Sequence, residues 1–126
     1  MDLKILVVDD EKDHIDNMCR FFQNYNLTGY SDPRKALKEL SENYYDIVIV
    51  DYKMPELSGL DLLIQAKSVN AYSYGVLFTA YAEKNILQEA INNNLVSQII
   101  EKPVRLSNLK EILDEIIESV KIERNH

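Results

Sequence analysis

The chain has 126 residues, with 14 Lys and Arg against 21 Asp and Glu, for a formal net charge of −7. Its 46% hydrophobic content supplies the core of one domain and argues against disorder. The acidic balance excludes a basic patch for nucleic acid or anionic lipid, the single cysteine excludes an internal disulfide and a multi-Cys metal site, and no apolar run nears the roughly 18 residues of a membrane span.

The opening Met1-Asp2-Leu3-Lys4 lacks the basic-then-apolar layout of a signal peptide, so a soluble cytoplasmic protein is expected. Nothing in composition splits the chain. One domain over 1–122 is expected, followed by a short polar tail over 123–126.

Residues 3–8 form a short β-branched apolar run, the pattern of a strand buried on both faces. From 12 to 25, Ile15, Met18, Cys19, Phe22 and Tyr25 recur at helical spacing. A short strand over 27–30 follows. Asp32 and Pro33 read as the N-cap and first position of a second helix, which carries Ala36, Leu37 and Leu40. Residues 46–50 predict a strongly apolar strand, and 59–68 a helix. A fourth strand is expected over 75–79, with Tyr72 and Tyr74 in an exposed loop before it. Residues 83–93 predict a helix with Ile86, Leu87, Ala90 and Ile91, and 98–101 a last short strand. Ser107 is the expected cap of a final helix with a stripe of Leu109, Ile112, Leu113, Ile116, Ile117 and Val120.

Five strands alternating with five helices predict an α/β fold. A doubly wound parallel sheet covered on both faces follows, because parallel strands need right-handed crossovers. Sites in such sheets lie beyond the carboxyl ends of the strands. Asp9, Asp10 and Glu11 follow the first strand, Asp51 the third, Thr79 the fourth, and Lys102-Pro103 the fifth. Taken singly, each has a plainer explanation as a turn or helix-start residue. Together they would gather carboxylates, a hydroxyl and an ammonium in one cleft. Clustered carboxylates repel unless a cation joins them. Oxygen ligands with open positions suit Mg²⁺ beside a phosphoryl group. A carboxylate can then act as nucleophile, with the lysine and hydroxyl neutralising the transferring group.

The same residues resemble the receiver domain of two-component response regulators over about 3–120. The matching segments are Ile5-Leu6-Val7-Val8-Asp9-Asp10-Glu11, Asp46-Ile47-Val48-Ile49-Val50-Asp51-Tyr52-Lys53-Met54-Pro55 with Gly59 and Leu62-Leu63, Phe78-Thr79-Ala80, and Glu101-Lys102-Pro103. The resemblance implies a CheY-like (βα)₅ flavodoxin-like sheet of order 2-1-3-4-5. It implies Asp51 as acceptor of a phosphoryl group from a sensor histidine kinase or phosphotransfer protein. Asp10, Asp51 and the Lys53 backbone carbonyl would hold Mg²⁺, with Asp9 acting mostly through a water. Thr79 and Lys102 would contact the phosphoryl group, and Ala80 would keep the site uncrowded and offer its N–H. The Lys102–Pro103 peptide would be cis. The signal would leave through the fourth helix, fifth strand and fifth helix, to a downstream protein, a missing output domain or a phosphorylation-dependent homodimer.

One position departs from the family's pattern. Ile99 stands where an aromatic residue is usual, three before the lysine, which puts the aromatic rotamer switch in doubt. Lys53 and Tyr81 flank the site and are expected to set the phosphoryl lifetime. No metabolite turnover is expected. Three rivals are weaker. An aspartyl-nucleophile phosphatase would carry an acid at Lys53. A flavodoxin-like nucleotide module would carry a Gly-rich loop where Asp9-Asp10-Glu11 stands. A docking-only receiver would lack the acceptor and lysine. His14 and His126 are given no metal or catalytic role, Cys19 reads as an inert buried thiol, and Gly29 has no evident role.

Overall fold

The structure is a computed structural model that describes residues 3–80 and 84–125, apart from the side chains of Lys84 and Ile86. The elements run β1 (Ile5–Val8), α1 (Lys12–Phe21), β2 (Leu27–Tyr30), α2 (Pro33–Glu42), β3 (Tyr45–Asp51), α3 (Gly59–Ser68), β4 (Tyr72–Thr79), α4 (Lys84–Asn92), β5 (Gln98–Glu101) and α5 (Leu106–Arg124). The strands form one parallel sheet of order β2-β1-β3-β4-β5. The expected doubly wound α/β fold is therefore present. The strand order reverses between β1 and β3, where ligand sites of such sheets open.

Strand side chains alternate between the two faces, and so does the core. Ile5, Val7, Ile47, Ile49, Val76 and Phe78 pack with Ile15, Met18 and Phe22 of the α1 region and with Leu109, Leu113, Ile116 and Val120 of α5. Leu6, Val8, Val48, Val50 and Leu77 pack with Ala36 and Leu40 of α2, Leu62, Leu63 and Ala66 of α3, and Leu87 and Ala90 of α4. Burying one such aliphatic side chain stabilises the fold by roughly 1.5–3 kcal/mol. Both faces of β3 are apolar because helices cover both, and that burial carries Asp51 into the interior at the strand's end.

Local signals place the helices. The Asp32 carboxylate accepts the Arg34 N–H at 2.9 Å, with Pro33 at the first helical position. Ser58 caps α3 by accepting the Asp61 N–H at 3.1 Å. Four expectations need correction. Helix α1 stops at Phe21, and Tyr25 lies in the turn beyond, its ring centroid 5.2 Å from that of Phe22 in an edge-to-face pair and its hydroxyl donating to Asp114 at 2.6 Å. Strand β4 starts at Tyr72, because Tyr45 and Ile47 extend the register to Tyr72 and Tyr74. Those two tyrosines are half-buried rather than in a loop, donating to the Leu63 carbonyl and to Gln98. Helix α5 begins at Leu106 with Arg105 as an N-cap that makes no side-chain bond, so Ser107 is inside the helix. The same helix runs to Arg124, past the expected start of a tail, and Arg124 pairs there with the buried Asp46 at the base of β3. For α4, Glu83 lies outside the described residues.

Gly29 acquires a role from packing. A Cβ there would sit 2.6 Å from Ile15 Cγ2 and 2.9 Å from Cys19 Sγ, so its bare backbone lets α1 lie close on β2. Cys19 is half-buried in that contact, and burial pushes its thiol pKa up.

Candidate functional site

The carboxyl ends of β1, β3, β4 and β5 bring the site together. Asp9 follows β1 directly and is buried, while the next residue, Asp10, is exposed. Asp51 ends β3 and is 7% exposed. Carboxylate oxygens of Asp9, Asp10 and Asp51 lie within 4.8 Å of one another. Three acceptor-only groups so close, two of them buried, fit a hard divalent cation, which takes oxygen ligands and cancels their repulsion.

Lys102 comes from the loop after β5 and its Nζ lies 3.0 Å from Asp51 Oδ1. Its backbone N–H donates to the Thr79 carbonyl at 2.9 Å, which ties the ends of β4 and β5 together beside the acid cluster. Thr79 is buried, and its hydroxyl donates to the Ala80 carbonyl at 3.3 Å. The Lys102–Pro103 peptide is cis. Lys53 and Ala80 are exposed in the loops after β3 and β4. Ile99 pairs with Leu77 in the sheet and packs half-buried against the α2–α3–α4 side. Tyr81 lies outside the described residues.

The loop after β3 is held by its backbone. Tyr52 donates to the Phe78 carbonyl and Gly59 to the Tyr52 carbonyl, both at 2.8 Å. Glu56 in this loop has φ 70°, and its carboxylate meets Arg34 of α2 at 3.0 Å. Gly59 abuts the end of β3 itself: a Cβ there would fall 2.3 Å from the Asp51 carbonyl oxygen.

Burial raises the Asp51 pKa above the ordinary carboxylate value. Lys102 pulls it down by hydrogen bond and charge, and Asp9 and Asp10 push it up. The sign for stability follows by linkage. The folded state holds this proton more tightly than the unfolded chain, so metal-free protein loses stability as pH rises from the unfolded value through the raised one. Asp51→Asn removes that loss while still accepting from Lys102. In EDTA its Tm should exceed the wild type's at neutral pH, and the gap should close below about pH 4. Equal melting curves across that range would sink the argument.

One residue was missed from sequence. His14, on the first turn of α1, lies with Nδ1 3.3 Å from Asp9 Oδ2 and Nε2 3.4 Å from Glu11 Oε2. The signal was its place three residues after the N-cap of a helix that follows Asp9 almost at once. Asp9, His14, Asn17 and Met18 line one side of a cavity of about 330 Å³, with Phe78, Lys102 and Pro103 among its other walls.

A family model described as "Response regulator receiver domain" matches residues 5–114. The chain is 29% identical over 121 residues to the "Transcriptional regulatory protein ZraR" of Escherichia coli (strain K12), covering 91% of this chain and 26% of that protein. It thus spans about a quarter of the length of that relative. It is 32% identical to the "Chemotaxis protein CheY-3" of Vibrio cholerae serotype O1 (strain ATCC 39541 / Classical Ogawa 395 / O395), covering 92% of each. The crystal structure of a response regulator receiver domain protein from Clostridium thermocellum superposes with a TM-score of 0.83 at 27% identity, covering 95% of this chain and 98% of that one. No helix among the described residues is long and apolar enough to cross a membrane.

Proposed function

The chain belongs to the response regulator receiver domain family, and on that premise we propose that it is a switch driven by Mg²⁺-dependent phosphorylation of Asp51. The single observation that carries this reading is the setting of Asp51. It is a buried carboxylate at the end of the central strand, flanked by the Lys102 ammonium at 3.0 Å and by the carboxylates of Asp9 and Asp10.

Asp10, Asp51 and the Lys53 carbonyl would hold Mg²⁺, with Asp9 engaged mostly through a water. The ion would supply charge neutralisation and fixed oxygen positions around the transferring group. An Asp51 oxygen attacks the phosphorus of a phosphohistidine, the P–N bond breaks, and the donor imidazole leaves with the bonding pair. Lys102 stays beside the acceptor and offsets the roughly two negative charges that the phosphoryl group adds. The Thr79 hydroxyl and Ala80 N–H turn toward the phosphoryl oxygens. The donor is a histidine kinase or phosphotransfer protein, and the recipient is a downstream protein or an output domain. The role is signalling, with no metabolite turned over, in the cytoplasm. Lys53 and Tyr81 set the lifetime of the acyl phosphate.

Incubation with acetyl phosphate, read by intact mass, tests the reading. One phosphoryl group should be gained with Mg²⁺ and almost none in EDTA, and borohydride trapping should map it to Asp51. No adduct with any small donor or phosphohistidine would leave a docking-only receiver.

Ile99 sets the readout. An aliphatic side chain has no ring to swing toward a vacated space, so the change is carried by the backbone after Thr79. Amide NMR of the free and beryllofluoride-bound forms should place the large shifts in the loops after β3 and β4. A full shift of α5 would contradict this.

A further inference from the structure

We infer that His14 is a positioning residue of the acidic site, holding the Asp9 carboxylate in the orientation from which it serves a bound divalent cation. The inference rests on the reading of Asp9, Asp10 and Asp51 as a cation site.

The Asp9 side chain is 5% exposed, and each of its oxygens faces a different donor. Oδ1 accepts the Glu11 N–H at 2.9 Å, and Oδ2 faces His14 Nδ1 at 3.3 Å. A carboxylate only accepts, so Nδ1 carries the proton in that bond. One donor would leave the carboxylate free to turn about Cβ–Cγ. Two donors, one on each oxygen, fix its plane.

Local structure makes this reach possible. Helix α1 starts at Lys12, so His14 sits in its first turn, with its N–H bonded to the Glu11 carbonyl at 3.0 Å. From there the ring lies back over the β1–α1 loop. Lys102, from the loop after β5, holds Asp51 in the same manner. The two deepest carboxylates are thus each pinned by a side chain from another element.

The His14 side chain is 51% exposed and belongs to neither core cluster. Its loss therefore removes little packing. What it removes is the orientation of Asp9; outer partners of direct ligands contribute roughly 10- to 100-fold in metal affinity, and because Asp9 acts mostly through a water, His14 belongs at the low end of that range.

Calorimetric titration with Mg²⁺ alone tests this. His14→Ala should weaken binding about tenfold, and His14→Gln, whose amide N–H can donate to Asp9, should stay within about threefold of wild type. Metal-free melting curves of both variants should overlay the wild type's, which separates positioning from a fold defect. Equal or tighter binding by His14→Ala overturns the inference, as does failure of His14→Gln to restore binding. An absence of Mg²⁺ binding by the wild type overturns the cation reading itself, and the inference with it.

Discussion

Lys102→Ala should accept a phosphoryl group from acetyl phosphate about 10²-fold more slowly than the wild type, the usual cost of deleting one charge-stabilising donor. Two effects act together. The Nζ that lies 3.0 Å from Asp51 Oδ1 is the described positive group paired with the acceptor. Without it, charge that builds on the phosphoryl oxygens meets Asp9 and Asp10 with no ammonium to offset them. The acceptor also changes before any reaction. Burial already raises the Asp51 pKa, and Lys102 is what pulls it down. Its removal raises that pKa further and lowers the fraction of Asp51 present as the nucleophilic carboxylate. Both consequences are measurable: the rate by intact mass at fixed Mg²⁺, and the pKa from the Asp51 carboxyl ¹³C shift. Lys102→Arg keeps the charge but not the compact ammonium, so it should recover only part of the rate. A Lys102→Ala rate within threefold of wild type would remove Lys102 from the chemistry.

Gly59→Ala should produce the largest loss of stability. Alanine is favoured over glycine inside a helix by about 1 kcal/mol, so the substitution looks favourable from sequence. The structure reverses the sign. The new methyl would fall 2.3 Å from the Asp51 carbonyl oxygen and 3.0 Å from Leu77 Cδ2. The first neighbour is strand backbone, held in the sheet and unable to move aside as a flexible side chain would. Overpacking of this kind costs roughly 1–3 kcal/mol beyond the helix gain. A loss of about 2 kcal/mol corresponds to a fall in Tm of roughly 8 °C in a chain of this size. Function should suffer too, because the backbone under pressure is that of Asp51, the proposed acceptor. A displacement of Asp51 by a few tenths of an ångström should slow phosphorylation about tenfold, well short of the loss a full ångström brings. Thermal melts and the acetyl phosphate assay measure the two effects separately. An unchanged Tm would show that α3 can slide on β3, contrary to the packing.

The strand ends were readable because a parallel sheet fixes where its carboxyl ends lie. Once β1, β3, β4 and β5 are parallel, Asp9, Asp51, Thr79 and Lys102 must share one edge, whatever the details of their contacts. The apolar runs and the Asp32-Pro33 start of α2 were equally local signals, and both stand in the structure. Misplaced boundaries had distant causes. Tyr72 and Tyr74 join β4 because β3 offers register partners, and nothing within their own segment announces it. Arg124 stays helical beside Asp46, a residue 78 positions away in the chain.

The sequence by itself therefore determined the layer pattern and which carboxylates, hydroxyl and ammonium share one edge of the sheet. Those follow from periodicities of two and 3.6 and from residue types at strand ends. Tertiary structure alone decided which groups restrain those side chains. Gly59 stood only as the first residue of the expected helix over 59–68 and proved to be a contact against the Asp51 backbone. Gly29 had no role until α1 lay on β2. His14 looked like an ordinary helix residue until its ring was seen against Asp9. Contact at this level depends on how closely two elements approach and at what rotation, and one segment's sequence does not carry its neighbour's position.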